Sequence, residues 1–276
     1  MSGSTVSRRF IRASAKKLKE LLERDLSGYD FVVVVVDGKV FAEDEMVIAL
    51  GVTAQGEKVI LGFVQTASEN EKSCSEFLQG LIERGLRYDE GLLAVVDGSK
   101  GLKKALERVF AGKALIQRCQ WHKRENVVSY LPEKEREAVR RKLQSAYEKP
   151  TYEEAKASLL KIKGELKTIN LSAVASLEEG LEETLTLHKL GLSQELGRSL
   201  KTTNLIECVN ARLGERTDKV DYWRSSDQKQ RWVASSLLEI EKGLRRLMGY
   251  RHLPRLKEAL KKTVVEQEIQ KTKKAA

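Results

Sequence analysis

Five consecutive valines, Val32–Val36, are followed at once by Asp37 and Gly38. A run of β-branched residues this apolar favours a strand that is buried on both faces. Later in the chain the stretch GLLAVVDGSK repeats the arrangement, with an apolar run that ends in Asp97 and Gly98. Two buried strands therefore each deliver an Asp-Gly pair to their carboxyl ends, where open α/β sheets present ligands and catalytic groups.

Hydrophobic periodicity predicts a mixed α/β part and a helical part. Strands are predicted over residues 31–37, 46–53, 58–65, 92–96 and 113–118, the second and third joined by a hairpin at 54–57. Helices are predicted over about 12–26, 71–86, 99–110, 203–213, 226–247 and 253–270. Three strands of antiparallel type followed by a βαβ unit indicate a mixed sheet with helices on its faces. From about 123 to 200 apolar residues recur every three or four positions, which indicates an all-helical insertion without strands.

The composition limits the cellular setting. A chain of 276 residues suits one large domain, or a core that carries an inserted subdomain. No apolar run approaches the length of a membrane span, and no secretory signal opens the sequence. Three scattered cysteines do not make a disulfide framework. We therefore expect a cytoplasmic protein.

The net charge of +10 is concentrated at the two ends of the chain. Residues 1–26 hold seven Lys/Arg against three Asp/Glu, and residues 241–276 hold eleven against four. The intervening residues are close to neutral. Basic segments of this kind pair with polyanions, most often nucleic acid, although well-solvated helix ends carry the same charges.

The two Asp-Gly pairs have two interpretations. Asp-Gly is a strong turn signal, and on these pairs alone the turn interpretation is favoured. If the two strands are neighbours, however, Asp37 and Asp97 converge, and paired carboxylates need a cation between them. Mg²⁺ prefers such oxygen ligands, and two such ions support phosphodiester chemistry.

A third carboxylate favours the metal interpretation. In the stretch KTTNLIECVNARLGERT, Asn204 is predicted to cap a helix and Glu207 lies one turn into it. The neighbours of Glu207 are apolar, so this acid is expected beside the core. Asp37, Asp97 and Glu207 then form a candidate D–D–E triad.

The chain closely resembles the Mutator-type DDE transposases of bacterial insertion sequences. The resemblance is carried by VVDGK, VVDGSKGL, QRCQWHKRENVVSYLP, TLTLHKLGL, and KTTNLIE followed by DQKQRWVASSLLEIE, and it covers essentially the whole chain from residue 29. It implies an RNase H-like catalytic core, with Asp37, Asp97 and Glu207 as catalytic residues that bind Mg²⁺ or Mn²⁺. It also implies cleavage at element ends, strand transfer to target DNA, a homodimer or higher oligomer on DNA, and association with the nucleoid.

The resemblance suggests five segments along the chain. They are a basic helix over 1–28 that is a remnant of a helix-turn-helix, a first core part over 29–125, a helical insertion over 126–200, a second core part over 201–248, and a basic helix over 249–276. Family members carry a longer DNA-binding region before the core, so the sequence is expected to be shortened at its N-terminus.

Cys119 and His122 have a Cys-x-x-His spacing that metal sites use, but a structural zinc needs four ligands, and His188 and His252 stand alone. The sequence therefore does not favour zinc, and the resemblance implies a structural or DNA-positioning element close to the core. Trp121 can stack on DNA, although a buried aromatic is more common, and Trp223 and Trp232 are expected to pack inside. The residues expected to contact DNA are Arg8, Arg9, Trp121, Lys201, Asn204 and Arg231.

Two other functions compete with an active transposase. The chain is alternatively a truncated DNA-binding or inhibitory derivative without cleavage activity. A phosphotransferase with Asp37 as its nucleophile is the third hypothesis, but such enzymes need an acid two residues later, where this chain has Lys39.

Overall fold

The predicted strands form one mixed sheet in the computed structural model, which describes residues 3–67 and 70–275. The strands are β1 (Phe31–Phe41), β2 (Asp44–Thr53), β3 (Lys58–Thr66), β4 (Leu92–Val96) and β5 (Ala114–Arg118). Their order across the sheet is β3-β2-β1-β4-β5. β1 pairs antiparallel with β2 and parallel with β4, and β4 pairs parallel with β5. The predicted mixed α/β sheet is confirmed.

Helices cover both faces of the sheet and form the region after β5. They are α1 (Gly3–Leu22), α2 (Glu71–Glu83), α3 (Lys100–Phe110), α4 (Gln120–Ser129), α5 (Glu133–Tyr147), α6 (Tyr152–Leu166), α7 (Leu171–Glu178), α8 (Leu181–Thr184), α9 (Thr186–Lys189), α10 (Ser193–Leu200), α11 (Asn204–Thr217), α12 (Ser226–Glu241), a 3-10 helix (Tyr250–His252) and α13 (Leu253–Ala275). Among the described residues, none of these helices is both long enough and apolar enough to cross a membrane.

The valine run is buried on both faces because it lies between two layers of helices. Val33 and Val35 belong to a core that includes side chains of α11, α12 and α13, whereas Val34 and Val36 belong to a core with α2 and α3. All four valines are at most 1% exposed. The alternation follows from the two-residue period of a strand.

β1 extends beyond the predicted end at Asp37, and the first Asp-Gly pair is not a turn. The antiparallel pairing with β2 continues through Asp37 to Phe41, and the chain turns at Ala42, which has a φ of 54°. The second Asp-Gly pair does end its strand: Asp97 follows β4, and Gly98 has a φ of 114°. The turn interpretation is therefore wrong for the first pair and holds for the second.

Residues 120–200, all of them described, contain the seven helices α4–α10 and no strand. Helices α4–α8 share a core separate from the two that cover the sheet. A buried amide joins this region to β5: Gln117 Nε2 donates to the carbonyl of Thr184 at 2.9 Å and holds α8 against the carboxyl end of the strand. Gln120 Nε2, at the start of α4, donates to the same carbonyl at 2.8 Å.

The two basic ends are partly built into the sheet domain. α1 packs on α12, where the rings of Phe10 and Trp232 are 5.8 Å apart. Leu253, Leu256 and Leu260 of α13 are fully buried in the core that contains Val33. Only the outer faces of these helices are available to a partner. Met1, Ser2 and Ala276 lie outside the described residues.

His188, in α9, is a buried base without a compensating charge. Its side chain is close to fully enclosed, and its Nε2 donates to the Lys149 carbonyl at 3.1 Å. Its Nδ1 is buried and has no hydrogen-bond partner among the described residues. Burial lowers the pKa of His188 to about 4. The imidazole is therefore neutral in the folded protein at neutral pH.

We predict that His188 makes the fold sensitive to acid. The unfolded chain binds a proton at His188 below about pH 6.5, whereas the folded chain does so only near pH 4. The stability difference between wild type and His188→Gln should therefore shrink or reverse as the pH falls from about 6.5 to about 4, by on the order of 2–3 kcal/mol. Glutamine keeps a donor for the Lys149 carbonyl. Parallel stability curves from urea unfolding across this range would contradict the assignment.

Candidate active site

The two aspartates follow the paired parts of β1 and β4. The parallel ladder between these strands ends one residue before each aspartate, and neighbouring strands lie about 4.8 Å apart. Val35 and Val95, two residues earlier on their strands, both lie in the core that α11 covers. Because side chains alternate along a strand, Asp37 is directed toward that same face. Asp97 follows the last paired residue of the neighbouring strand, so the two acids stand at adjacent strand ends.

α11 reaches Asp37 directly. Asn210 is 9% exposed, and its Nδ2 donates to Asp37 Oδ2 at 3.1 Å. Lys39 Nζ donates to the main-chain carbonyl of Asn210 at 3.0 Å, which ties β1 to the helix a second time. Glu207 precedes Asn210 by three residues and so lies on the same side of α11. The third acid is therefore on the helix that bonds Asp37.

Thr203 holds Glu207 in place. Its hydroxyl donates to Glu207 Oε1 at 2.5 Å, and the Thr203 side chain is fully buried, whereas that of Glu207 is 41% exposed. Thr203 is the N-cap of α11, although its side chain makes no capping hydrogen bond. The prediction that Asn204 caps this helix is wrong, because Asn204 is already its first helical residue. The Thr203 hydroxyl therefore bonds the Glu207 carboxylate instead of a backbone N–H of the helix.

A tight turn fixes Asp97. Its Oδ1 accepts a hydrogen bond from the backbone N–H of Ser99 at 2.9 Å, across Gly98. The positive φ of Gly98 favours glycine, and a Cβ there would lie 2.1 Å from Arg118 Nε. Arg118 is buried at the end of β5, where it also pairs with Glu179. The carboxylate of Asp97 is thus positioned by its own turn.

Cys119 and His122 adjoin this cluster. Cys119 is the N-cap of α4, and its Sγ accepts from the backbone N–H of His122 at 3.5 Å. His122 Nδ1 lies 3.2 Å from Cys119 Sγ and 4.0 Å from Glu207 Oε1. Thr203 Oγ1 lies between them, 3.4 Å from the sulfur and 3.3 Å from Nδ1. The thiol, the imidazole and the carboxylate form one connected group.

The charges in this group reinforce one another. The hydrogen bond with Cys119 raises the pKa of His122 to about 9 against the opposing effect of burial, and the charges of Cys119, Glu207 and Asp97 act in the same direction as the bond. Burial alone would raise the pKa of Cys119, but the hydrogen bonds from the side chain and the backbone N–H of His122 hold it below its ordinary value. His122 is therefore a cation at neutral pH, within the field of two of the three acids.

The residues expected to contact DNA fall into two groups. Arg8 and Arg9 lie exposed on α1, Asn204 is exposed at the start of α11, and Trp121 is 47% exposed, with its ring edge-on to His122 at 4.8 Å. Trp121 is thus an accessible aromatic beside the acids, contrary to the more common buried fate.

Lys201 and Arg231 have internal partners. Lys201 Nζ donates to the Tyr147 carbonyl at 3.1 Å, and burial lowers its pKa. Arg231 is 6% exposed and bonds Asp227 at 2.9 Å and Ser14 at 3.1 Å. The expectation that Arg231 contacts DNA is therefore replaced by a structural role, the joining of α12 to α1. Trp223 and Trp232 pack against each other at 5.7 Å.

Sequence reasoning missed Thr203 and Asn210. Asn210 follows Glu207 by one helical turn on a face that is otherwise apolar, and this polar residue at i+3 was the available signal. Thr203 precedes Glu207 by four residues, a spacing that also places it over the same turn. The sequence does not reveal that Asn210 bonds Asp37 or that Thr203 contacts Cys119, because both partners are distant along the chain.

Each of the three acids has a carboxylate held by a hydrogen bond. Asp37, Asp97 and Glu207 offer carboxylate oxygens, the ligands that Mg²⁺ and Mn²⁺ prefer. Hydrogen bonds from Asn210, Ser99 and Thr203 orient one oxygen of each carboxylate. Orienting partners of this kind are typical around metal ligands.

Comparison with known proteins gives a consistent picture. The family model "Transposase, Mutator family" matches residues 1–243. The chain is 27% identical to the transposase of insertion sequence element IS256 in transposon Tn4001 from Staphylococcus aureus, over 87% of this chain and 64% of that protein. It is 28% identical to the transposase of ISRM5 from Rhizobium meliloti, over 94% of this chain and 66% of that protein.

A third relative, the transposase of IS1081 from Mycobacterium tuberculosis, is 29% identical over 94% of this chain and 65% of its own length. The chain thus spans just under two thirds of the length of these relatives. The family match covers most of the chain. The chain belongs to the Mutator family of transposases.

Proposed function

We propose that the chain is a DDE-type DNA transposase that cleaves phosphodiester bonds at insertion-sequence ends and transfers the freed 3′ ends to target DNA. The proposal rests on the observation that Asp37 and Asp97 follow neighbouring parallel strands, and that α11, which carries Glu207, bonds Asp37 through Asn210. The proposed architecture is an RNase H-like core, with residues 126–200 as a helical insertion before α11.

Asp37, Asp97 and Glu207 would hold Mg²⁺, with Mn²⁺ as a substitute. When bound, such ions activate an attacking oxygen and stabilise a leaving one. The chain contributes the fixed carboxylates, the hydrogen bonds that orient them, and the imidazolium of His122 beside Glu207. A cation at this position is suited to attract a phosphate group of the DNA backbone.

The proposed DNA contacts are the exposed ones. Trp121 lies beside the acids and offers a ring for stacking, and Asn204 is exposed on the next turn from Glu207. Arg8 and Arg9 on α1 supply charge for phosphates.

The proposed partners are the terminal inverted repeats of the element, target DNA, and further copies of this chain in a homodimer or larger assembly. The proposed setting is the cytoplasm, at the nucleoid.

Amide substitutions in the triad should abolish cleavage and leave DNA binding intact. Asp37→Asn, Asp97→Asn and Glu207→Gln keep the side-chain shape but remove the charge that holds Mg²⁺, so nicking of element-end DNA should fall ~100-fold or more. Glu215→Gln is the matched control, because Glu215 lies exposed on the same helix two turns further on. Nicking at near-normal rates by any triad variant would refute the assignment. A wild-type chain that binds element ends but never nicks them would instead support the DNA-binding derivative.

Removing the Thr203 hydroxyl should weaken the metal site without unfolding the chain. Thr203→Val preserves the shape of the buried side chain but loses the 2.5 Å bond to Glu207, whereas Thr203→Ser retains a hydroxyl. The Mg²⁺ concentration for half-maximal nicking should rise about 10-fold or more for valine, and much less for serine. Equal effects of the two substitutions would show that the hydroxyl does not position Glu207.

Charge on α1 should set part of the salt dependence of DNA binding. Each Lys or Arg that neutralises a phosphate contributes about 0.9 to the slope of log affinity against log salt. The triple variant Arg8→Gln, Arg9→Gln, Arg12→Gln should therefore lower this slope by about 2–3 in fluorescence anisotropy titrations. The control is a triple variant in which three exposed lysines away from α1 are replaced by glutamine. They are Lys134 in α5, Lys161 in α6 and Lys167, which follows α6. An equal loss in the control would contradict a special role for α1.

A further inference from the structure

Cys119, His122 and one member of the acidic cluster form a second group of potential metal ligands. Cys119 Sγ, a histidine nitrogen of His122 and a carboxylate oxygen of Glu207 all lie within 4.8 Å of one another. The spacing of Cys119 and His122 alone does not favour zinc, because it supplies only two ligands. The structure supplies a third from α11, a helix more than eighty residues further along the chain.

The distances approach those of zinc coordination. Ligand atoms of a tetrahedral zinc ion stand about 3.3–3.6 Å apart, given zinc–sulfur bonds of about 2.3 Å and zinc–nitrogen bonds of about 2.0 Å. Cys119 Sγ and His122 Nδ1 are 3.2 Å apart, and Nδ1 and Glu207 Oε1 are 4.0 Å apart. Glu207 is 41% exposed, so a small rotation of its side chain closes the difference.

The surroundings favour a thiolate and a defined carboxylate. Cys119 caps the ten-residue helix α4, whose N-terminal end favours a negative charge. The fully buried Thr203 donates to Glu207 Oε1, as orienting groups around a metal ligand commonly do. The imidazole and carboxylate are partly exposed above the buried sulfur, so that an ion can enter from solvent and keep a fourth position for water.

We propose that Cys119, His122 and Glu207 form a binding site for a thiophilic divalent cation, Zn²⁺ in the first place, which shares Glu207 with the oxygen-ligand site of the three acids. Binding displaces the proton shared between sulfur and imidazole into solvent, and it recruits one oxygen of Glu207. That recruitment matters for cleavage only if Glu207 also serves Mg²⁺, so this consequence rests on the proposed function. The binding itself does not.

Cobalt spectroscopy on the full chain under reducing conditions tests the site. Co²⁺ should bind with a one-to-one stoichiometry, show thiolate-to-cobalt charge transfer and the visible bands of a tetrahedral ion, and be displaced by Zn²⁺. Cys119→Ser should abolish the charge-transfer band. Cys208→Ser, which alters the exposed cysteine next to Glu207, should leave it unchanged. Absence of the band in the wild type, or its loss in Cys208→Ser alone, would overturn the proposal.

Two further variants separate this site from the proposed activity and from a folding defect. Glu207→Gln alters a partly exposed ligand and should weaken Co²⁺ binding roughly 10-fold or more while the charge-transfer band persists at saturation. Asp37→Asn should lose Mg²⁺-dependent nicking and bind Co²⁺ normally. An unchanged affinity of Glu207→Gln for Co²⁺ would show that Glu207 is not a ligand, and it would refute the proposed site. Failure of wild-type nicking, with cobalt binding intact, counts against the transposase chemistry alone.

Discussion

The parallel pairing of β1 with β4 is the constraint on which the rest of the structure depends. Both strands are buried on both faces, so that each position along them commits a side chain to one of two cores. A slip of one residue in either strand would turn its whole set of side chains over. In β1, Asp37 would then point at α2 and α3 instead of α11. The burial of the valines thus fixes which face of the sheet each position of β1 and β4 presents to α11.

The next strand extends the same logic to the thiol and the imidazole. β5 lies beside β4, and the backbone N–H of Cys119 donates to the carbonyl of Val96 at 2.7 Å, where the sheet ends. α4 therefore begins next to Asp97, and its first turn carries His122 toward Glu207. The ends of three strands that are adjacent in the sheet, β1, β4 and β5, carry Asp37, Asp97 and the Cys119–His122 pair, and α11 carries Glu207. The helices of residues 120–200 are held by the buried amides of Gln117 and Gln120, close to the same edge.

Much of this could be predicted from the sequence, because the signals are local. The strand β4, the β2–β3 hairpin and the helices on the sheet follow from periodicity and turn residues, and the three acids stand at positions that strand ends and an apolar helix single out. The continuation of β1 through Asp37 could not be predicted, since Asp-Gly reads as a turn and only the pairing with β2 overrides it. The bonds of Thr203 to Cys119, of Asn210 to Asp37 and of Arg231 to Ser14 join residues far apart in the chain, and no local pattern contains them.

If three carboxylates from two strands and one helix form a hard-metal site, Mn²⁺ should bind there in a crystal of the chain soaked in that ion, where its anomalous scattering locates it. We expect a peak bounded by the carboxylates of Asp37, Asp97 and Glu207, which Asp97→Asn abolishes or strongly weakens. Manganese bound elsewhere on the molecule, with these carboxylates unliganded, would contradict it.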